Sequence, residues 1–183
     1  MSFPALLDTN VLYGALLNDF VLELADRGLF RPLWSADILQ ELRKNLVEAG
    51  ENASLIEKRI STMTAYFPDA MVDGYDSLIP TMTCDPKDRH VLAAAVRGGA
   101  EVLVTFNLKD FPDVSTAPFD VEVVHPDDFL LDQIDLYHAP TLRALVELVE
   151  GYDSPAMTLD DYLLVLARAG VPKFADSARE KLY

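Results

Sequence analysis

Short apolar runs alternate with amphipathic stretches through the first two thirds of the chain, and each change of period marks a change of element. Residues 4–8 (Pro-Ala-Leu-Leu-Asp) read as a buried strand and residues 10–28 as a helix, with a break expected near Asn18-Asp19. An extended piece at Pro32-Leu33-Trp34 leads to Ser35, whose hydroxyl suits the N-cap of a helix running to about Val47. In the next helix, residues 53–66, Leu55, Ile56, Ile60, Met63 and Tyr66 recur near the helical period. An irregular stretch, 69–80, contains a possible strand at Ala70-Met71-Val72, and residues 86–98 form a helix stopped by Gly98-Gly99. Strands at 102–105 and 121–124 and a helix from about Pro126 complete this part. Strand and helix alternating at this spacing predict an α/β fold, a parallel sheet flanked by helices on both faces.

After residue 131 the strands stop. Helices at roughly 139–150, 158–169 and 173–182 are separated by Gly151-Tyr152-Asp153-Ser154-Pro155 and Gly170-Val171-Pro172, and Thr158 with Asp161 forms a capping-box-like start. The expected organisation is a domain over residues 1–130 and a small helical C-terminal extension over 131–183, too short to rely on a core of its own. Leu142, Leu145, Val146, Leu148 and Val149 suit packing of that extension onto the main domain.

Composition narrows the chemistry. Half of the 183 residues are hydrophobic, yet no apolar run reaches the roughly 18 residues that a membrane span needs. No signal peptide is read at the N-terminus, and a single cysteine, Cys84, rules out a disulfide framework within the chain or a cysteine-based zinc site. The expectation is a cytoplasmic protein without a membrane partner. The net charge of −15 disfavours non-specific binding to a phosphate backbone. Residues 131–183 carry 9 acids against 5 bases and residues 1–130 carry 21 against 10, so the excess lies mainly in the α/β part.

The acids there stand one at a time at strand ends and helix starts. Asp8 follows the first strand; Glu41 lies on the helix after Ser35, between Leu39 and Leu42; Asp85 and Asp88 open the helix at 86–98; Asn107 and Asp110 follow the strand at 102–105. Each has a bland role available, as a cap or a solvated helix residue. Thr9 and Asn10 offer alternative caps that would leave Asp8 free, and two acids three residues apart exceed what one helix start requires. In a parallel sheet, ligands bind at the carboxyl edge of the strands. Carboxylates brought together there repel unless a cation offsets them, and an all-oxygen set favours Mg²⁺ or Mn²⁺ over zinc.

Leu6-Leu7-Asp8-Thr9-Asn10-Val11-Leu12, Ser35 through Glu41, Asp85-Pro86-Lys87-Asp88-Arg89-His90-Val91-Leu92-Ala93-Ala94-Ala95 and Val104-Thr105-Phe106-Asn107-Leu108-Lys109-Asp110-Phe111-Pro112, in this order, resemble a PIN-domain ribonuclease of the VapC toxin type. The likeness covers about residues 3–130, and the helical tail is similar to an extension found in a subgroup of such toxins. It implies a PIN-like sheet, Mg²⁺- or Mn²⁺-dependent cleavage of RNA by an activated water, a VapB-like antitoxin partner and a homodimer. Asp8, Glu41 and Asp88 match the first three acids of the family. The fourth acid is replaced by Asn107, leaving Asp110 or the Asn107 amide to serve and putting a second metal position in doubt, with Asp85 in reserve. Asp8, Glu41, Asp88 and Asp110 are the catalytic candidates, and Asp8, Asp88, Asn107 and Asp110 the metal ligands. Ser35, Thr105, Arg43, Lys87, Arg89 and Lys109 are candidates for contacting RNA; Lys44 also neighbours the acids. Two rival readings are a non-catalytic PIN-like scaffold that binds RNA or protein, and a haloacid-dehalogenase-like phosphatase, whose second Asp would fall where this chain has Asn10.

Overall fold

A computed structural model describes residues 2–183. Five strands form one all-parallel sheet: β1 (Pro4–Leu7), β2 (Arg31–Ser35), β3 (Met71–Val72), β4 (Val102–Val104) and β5 (Glu122–Val124), in the order β3-β2-β1-β4-β5. Leu6 of β1 pairs with Leu33 on one side and Leu103 on the other, so the central strand is covered throughout, and all four of its residues are buried. The chain winds outward from β1 to β2 and β3, then crosses back to β4 and β5. Because such crossovers are right-handed, the two directions of winding send their helices to opposite faces.

The helices are α1 (Thr9–Tyr13), α2 (Ala15–Asp26), α3 (Ala36–Glu48), α4 (Ala53–Tyr66), α5 (Arg89–Gly98), α6 (Asp113–Thr116), α7 (Pro126–Leu136), α8 (His138–Glu150), α9 (Leu159–Arg168) and α10 (Pro172–Leu182). The break expected near Asn18-Asp19 falls instead at Gly14, whose extended backbone separates α1 from α2. Asn18 lies buried inside α2, its backbone N donating to Gly14 O at 2.8 Å, so a polar pair that looked like punctuation is helix interior. Arg59 from α4 donates to Leu12 O and Tyr13 O, satisfying carbonyls that the five-residue α1 leaves open. On α4 only Ile56, Ile60 and Met63 are buried; Leu55 and Tyr66, though near the same period, are exposed. Ser35 caps α3 as its sequence predicts, its Oγ accepting from Ile38 N at 3.2 Å. Helix α5 is preceded by a 3-10 turn at Pro86–Asp88 and ends at Gly99, where φ is +64°.

The C-terminal helices join the same core. Phe20 of α2 meets Phe174 of α10 with ring centroids 5.2 Å apart, and the fully buried Tyr162 donates its hydroxyl to Leu16 O at 2.6 Å. Leu142, Leu145 and Val149 of α8 are buried, while Val146 and Leu148 are half-buried. Helix α7 runs across the expected junction at residues 130 and 131 and carries the main tie: buried Asp127 accepts Lys173 N at 3.1 Å and Phe174 N at 2.8 Å, capping α10 from a different helix. Gly170, at φ +104° between α9 and α10, sits where an added Cβ would meet the ring of Phe106 at 2.7 Å. The extension therefore presses on the loop that follows β4.

Asp127→Ala is expected to strip α10 of its cap and cost about 1–2 kcal/mol, seen as a thermal midpoint lowered by roughly 2–8 °C with the far-ultraviolet circular dichroism below the transition unchanged.

Candidate active site at the carboxyl edge of the sheet

The sheet order reverses between β1 and β4, and this is where a doubly wound sheet opens a crevice at its carboxyl edge. Asp8 leaves β1 into that crevice, its backbone N donating to Val104 O at 3.1 Å. Only 4% exposed, its carboxylate is held by three donors: Thr9 N to Oδ1 at 2.7 Å, Thr105 Oγ1 to Oδ2 at 2.7 Å and Asn10 Nδ2 to Oδ2 at 2.9 Å. Asp8 itself thus caps α1. Thr9 and Asn10, the alternative caps, turn elsewhere. Asn10 links Asp8 to the far loop by accepting Phe106 N at 3.1 Å, and Thr105 Oγ1 in turn accepts Asn107 N at 3.1 Å.

Thr9 Oγ1 lies 2.9 Å from Glu41 Oε2 and 3.2 Å from Ile38 O; its single proton is best spent on the nearer, charged acceptor. Glu41, with a side chain 45% exposed, also lies 3.9 Å from His90 Nε2. Helix α3 therefore presents Glu41 at the mouth of the crevice, anchored from the Asp8 side by Thr9.

The turn before α5 separates the two acids that the sequence left equivalent. Asp85 accepts Lys87 N at 3.1 Å and does the capping. Asp88 stands at the start of α5 without making a side-chain cap, and it is buried. Its Oδ2 lies 3.1 Å from Lys87 Nζ but out of line for a hydrogen bond, leaving a buried oxygen without a donor. Asp110 comes from the opposite side, its backbone O accepting Asp85 N at 3.0 Å and its carboxylate accepting Lys87 Nζ at 2.8 Å.

Electrostatics follow from this packing. Burial pushes the Asp8 carboxyl above the ordinary range, overriding the bonds from Thr105 and Thr9, and the charges of Asp88 and Glu41 push the same way. Burial likewise raises Asp88; Lys87 opposes this, and Asp110 and Asp85 add to it. The hydrogen bond from Lys87 holds Asp110 low. Asp8, Glu41 and Asp88 thus belong to one electrostatic neighbourhood, although among the described residues no three acidic, His or Cys side chains already stand close enough to hold an ion.

The remaining candidates divide. Ser35 is fully buried and used as a cap, and Thr105 is fully buried against Asp8, so neither offers a hydroxyl to a phosphate; both support the site from behind. Arg43 is paired with Glu57 on α4 at 2.5 and 3.1 Å, Lys44 lies 3.9 Å from Glu48, and Lys87 is held by the acids. Lys109 and the Asn107 side chain are exposed; Arg89 is half-buried, with Nε lacking a partner. Sequence reasoning had given Thr9 and Asn10 no place in the site beyond capping. Their signal was adjacency to Asp8, but the partners they reach lie 29 to 96 residues away.

The comparisons with known proteins fall on these segments. A family model described as "VapC50 C-terminal domain" matches residues 126–180. A Mycobacterium tuberculosis protein with the curated name "Putative ribonuclease VapC50" is 49% identical over 110 residues, 60% of this chain and 64% of its own length. The chain thus aligns with less than two thirds of that relative, and no solved structure matches it significantly. The model of the PIN domain matches residues 4–109, more than half of the chain and all of the site segments but Asp110, and the chain belongs to the PIN-domain family.

Proposed function

We propose that the chain is the toxin of a type II toxin–antitoxin pair, an endoribonuclease that cleaves RNA by metal-assisted hydrolysis. The observation that carries this reading is the buried Asp8 carboxylate at the β1–β4 crevice, fixed by Thr9, Asn10 and Thr105 and facing the charges of Asp88 and Glu41. The name of the mycobacterial relative supports the same activity.

The donor set fits a hard divalent ion. It is all oxygen, the Asp88 carboxylate is buried without a hydrogen-bond donor of its own and meets only the Lys87 ammonium, and Mg²⁺ ordinarily keeps several waters while using only one or two carboxylates. Asp8 and Asp88 would hold Mg²⁺ or Mn²⁺. Such an ion supplies positive charge at the scissile phosphate and acidifies water. Thr105 and Asn10 keep Asp8 from rotating, so its position is set before substrate arrives. Glu41, steadied by Thr9, is placed to orient the attacking water, and Asp110 shares the opposite side with Lys87. RNA would approach over the exposed Lys109, with Arg89 following Asp88 in sequence; Arg43 and Lys44 reach it only by leaving Glu57 and Glu48.

A VapB-like antitoxin and assembly as a homodimer complete the reading, with cytoplasmic residence; no helix of the described residues is long and apolar enough to cross a membrane. An acidic toxin suits a basic antitoxin segment, because opposite fields speed association. The phosphatase reading loses ground, since the second Asp it needs is Asn10, here an amide donor to Asp8 Oδ2.

Asp8→Asn and Asp88→Asn are each expected to lower Mn²⁺-stimulated cleavage of total RNA by at least about 100-fold, the size of a lost charge-stabilising group, with folding intact by circular dichroism; cleavage at the wild-type rate would reject the assignment. A second expectation concerns pH without divalent ions. Folded Asp88 binds its proton more tightly than unfolded Asp88, so its contribution is fully present below the ordinary aspartate value and is lost as pH rises through the raised folded value. Urea titrations of wild type and Asp88→Asn between about pH 4 and pH 7 should therefore show the variant gaining relative stability as pH increases, and a constant difference would count against the raised carboxyl.

A further inference from the structure

Lys87 sits where a solvated surface lysine has no reason to be held. The 3-10 turn Pro86–Asp88 places it between Asp85 and Asp88, and the Asp85 N to Asp110 O bond brings the segment after β4 against the same turn. Its ammonium lies 2.8 Å from Asp110 Oδ2, 3.1 Å from Asp88 Oδ2 and 3.8 Å from Asp85 Oδ1. Three carboxylates from two segments converge on one ammonium.

Two further observations give that arrangement a meaning. Asp88 is the acid between the two halves of the crevice: Asp8 feels its charge from one side, and Lys87 meets its Oδ2 from the other. Second, Asn107 stands on the segment between β4 and Asp110 with an exposed side chain, so no carboxylate from position 107 is available to that half. Where two ions share a bridging carboxylate they lie about 3.5–4 Å apart, and an ammonium within 3.1 Å of the Asp88 oxygen fills the space that a second ion would need.

We infer that Lys87 is a tethered cation occupying the second-ion position beside Asp88 and Asp110, so that the chain takes one divalent ion, on the Asp8 side, where a two-ion site would take two. This rests on the metal-dependent reading above. The ammonium offsets the charge of Asp110 and Asp88 permanently and cannot be removed by chelation. It also sets a positive group at the edge of the crevice opposite Asp8, available to a phosphate oxygen without a second ion.

The test is the stoichiometry of Mn²⁺ alone, measured on the full chain by isothermal titration calorimetry and by the electron paramagnetic resonance signal of free Mn²⁺. Wild type is expected to bind one ion per chain, Lys87→Met two, and Lys87→Met with Asp110→Asn one again. Lys87→Arg, which keeps the cation, is expected to bind one. Lys87 is largely exposed, so these variants should fold, and urea midpoints establish that they do. One ion in wild type and one in Lys87→Met, at equal affinity, would overturn the role of Lys87 and leave the metal-dependent reading standing. Two ions in wild type would do the same. No ion bound by wild type would overturn that underlying reading together with the inference.

Discussion

A carboxylate buried at the point where the strand order reverses organises the whole molecule. Asp8 is unfavourable there by desolvation alone, and the fold offsets this with a backbone amide, an amide side chain and a threonine hydroxyl that come from two strand ends. The Thr105 hydroxyl donated to Asp8 and the Phe106 amide donated to Asn10 tie the end of β1 to the loop after β4, alongside the sheet pairing. The same loop meets the C-terminal extension at Gly170, whose lack of a side chain lets Phe106 approach. Site and extension are thus mechanically joined, and the extension is part of what fixes the backbone around Thr105 and Asn107.

Charge is partitioned between two halves of one crevice. On the Asp8 side the carboxyl is raised by burial and by the charges of Asp88 and Glu41, a state that a divalent ion would relieve. On the Asp110 side an ammonium already does the offsetting, and Asp110 is held low. Asp88 belongs to both. On the single-ion reading proposed above, that asymmetry would distinguish the site from a symmetric pair of metal positions and give a physical sense to Asn107, since a second cation of fixed position needs fewer anions around it. Arg43 and Lys44, directed to Glu57 and Glu48, contribute to the α3 surface and leave the crevice acidic on that flank.

Much of the fold was legible because its signals are local. Hydrophobic runs of three to five residues bounded by turn formers marked each strand, the Ser35 hydroxyl marked a helix start, and Gly99 marked a helix end. Errors arose where two local signals competed. Asn18-Asp19 carries breaker residues, yet the helix runs through them because Asn18 packs inside, while Gly14, four residues earlier, takes the bend. Leu55 and Tyr66 fit the apolar period of α4, but only one seam of that helix meets the core. At the site, adjacency to strand ends singled out the acids and, by the same signal, Ser35 and Thr105, whose hydroxyls face inward to a helix end and to Asp8.

The order of elements, the parallel sheet and the family motifs are properties of the linear chain, since period, caps and spacing act over a few residues. Which acid caps and which is free, which hydroxyl caps a helix and which faces a carboxylate, and where Lys87 rests were decided only by packing. Asp85 and Asp88 look alike in sequence; the turn geometry gave one a backbone partner and buried the other. Nothing local to Asp127 marks it as the cap of α10, whose amides reach it from 46 and 47 residues away. Such roles depend on distances between segments remote in the chain, and only the folded structure brings those segments together.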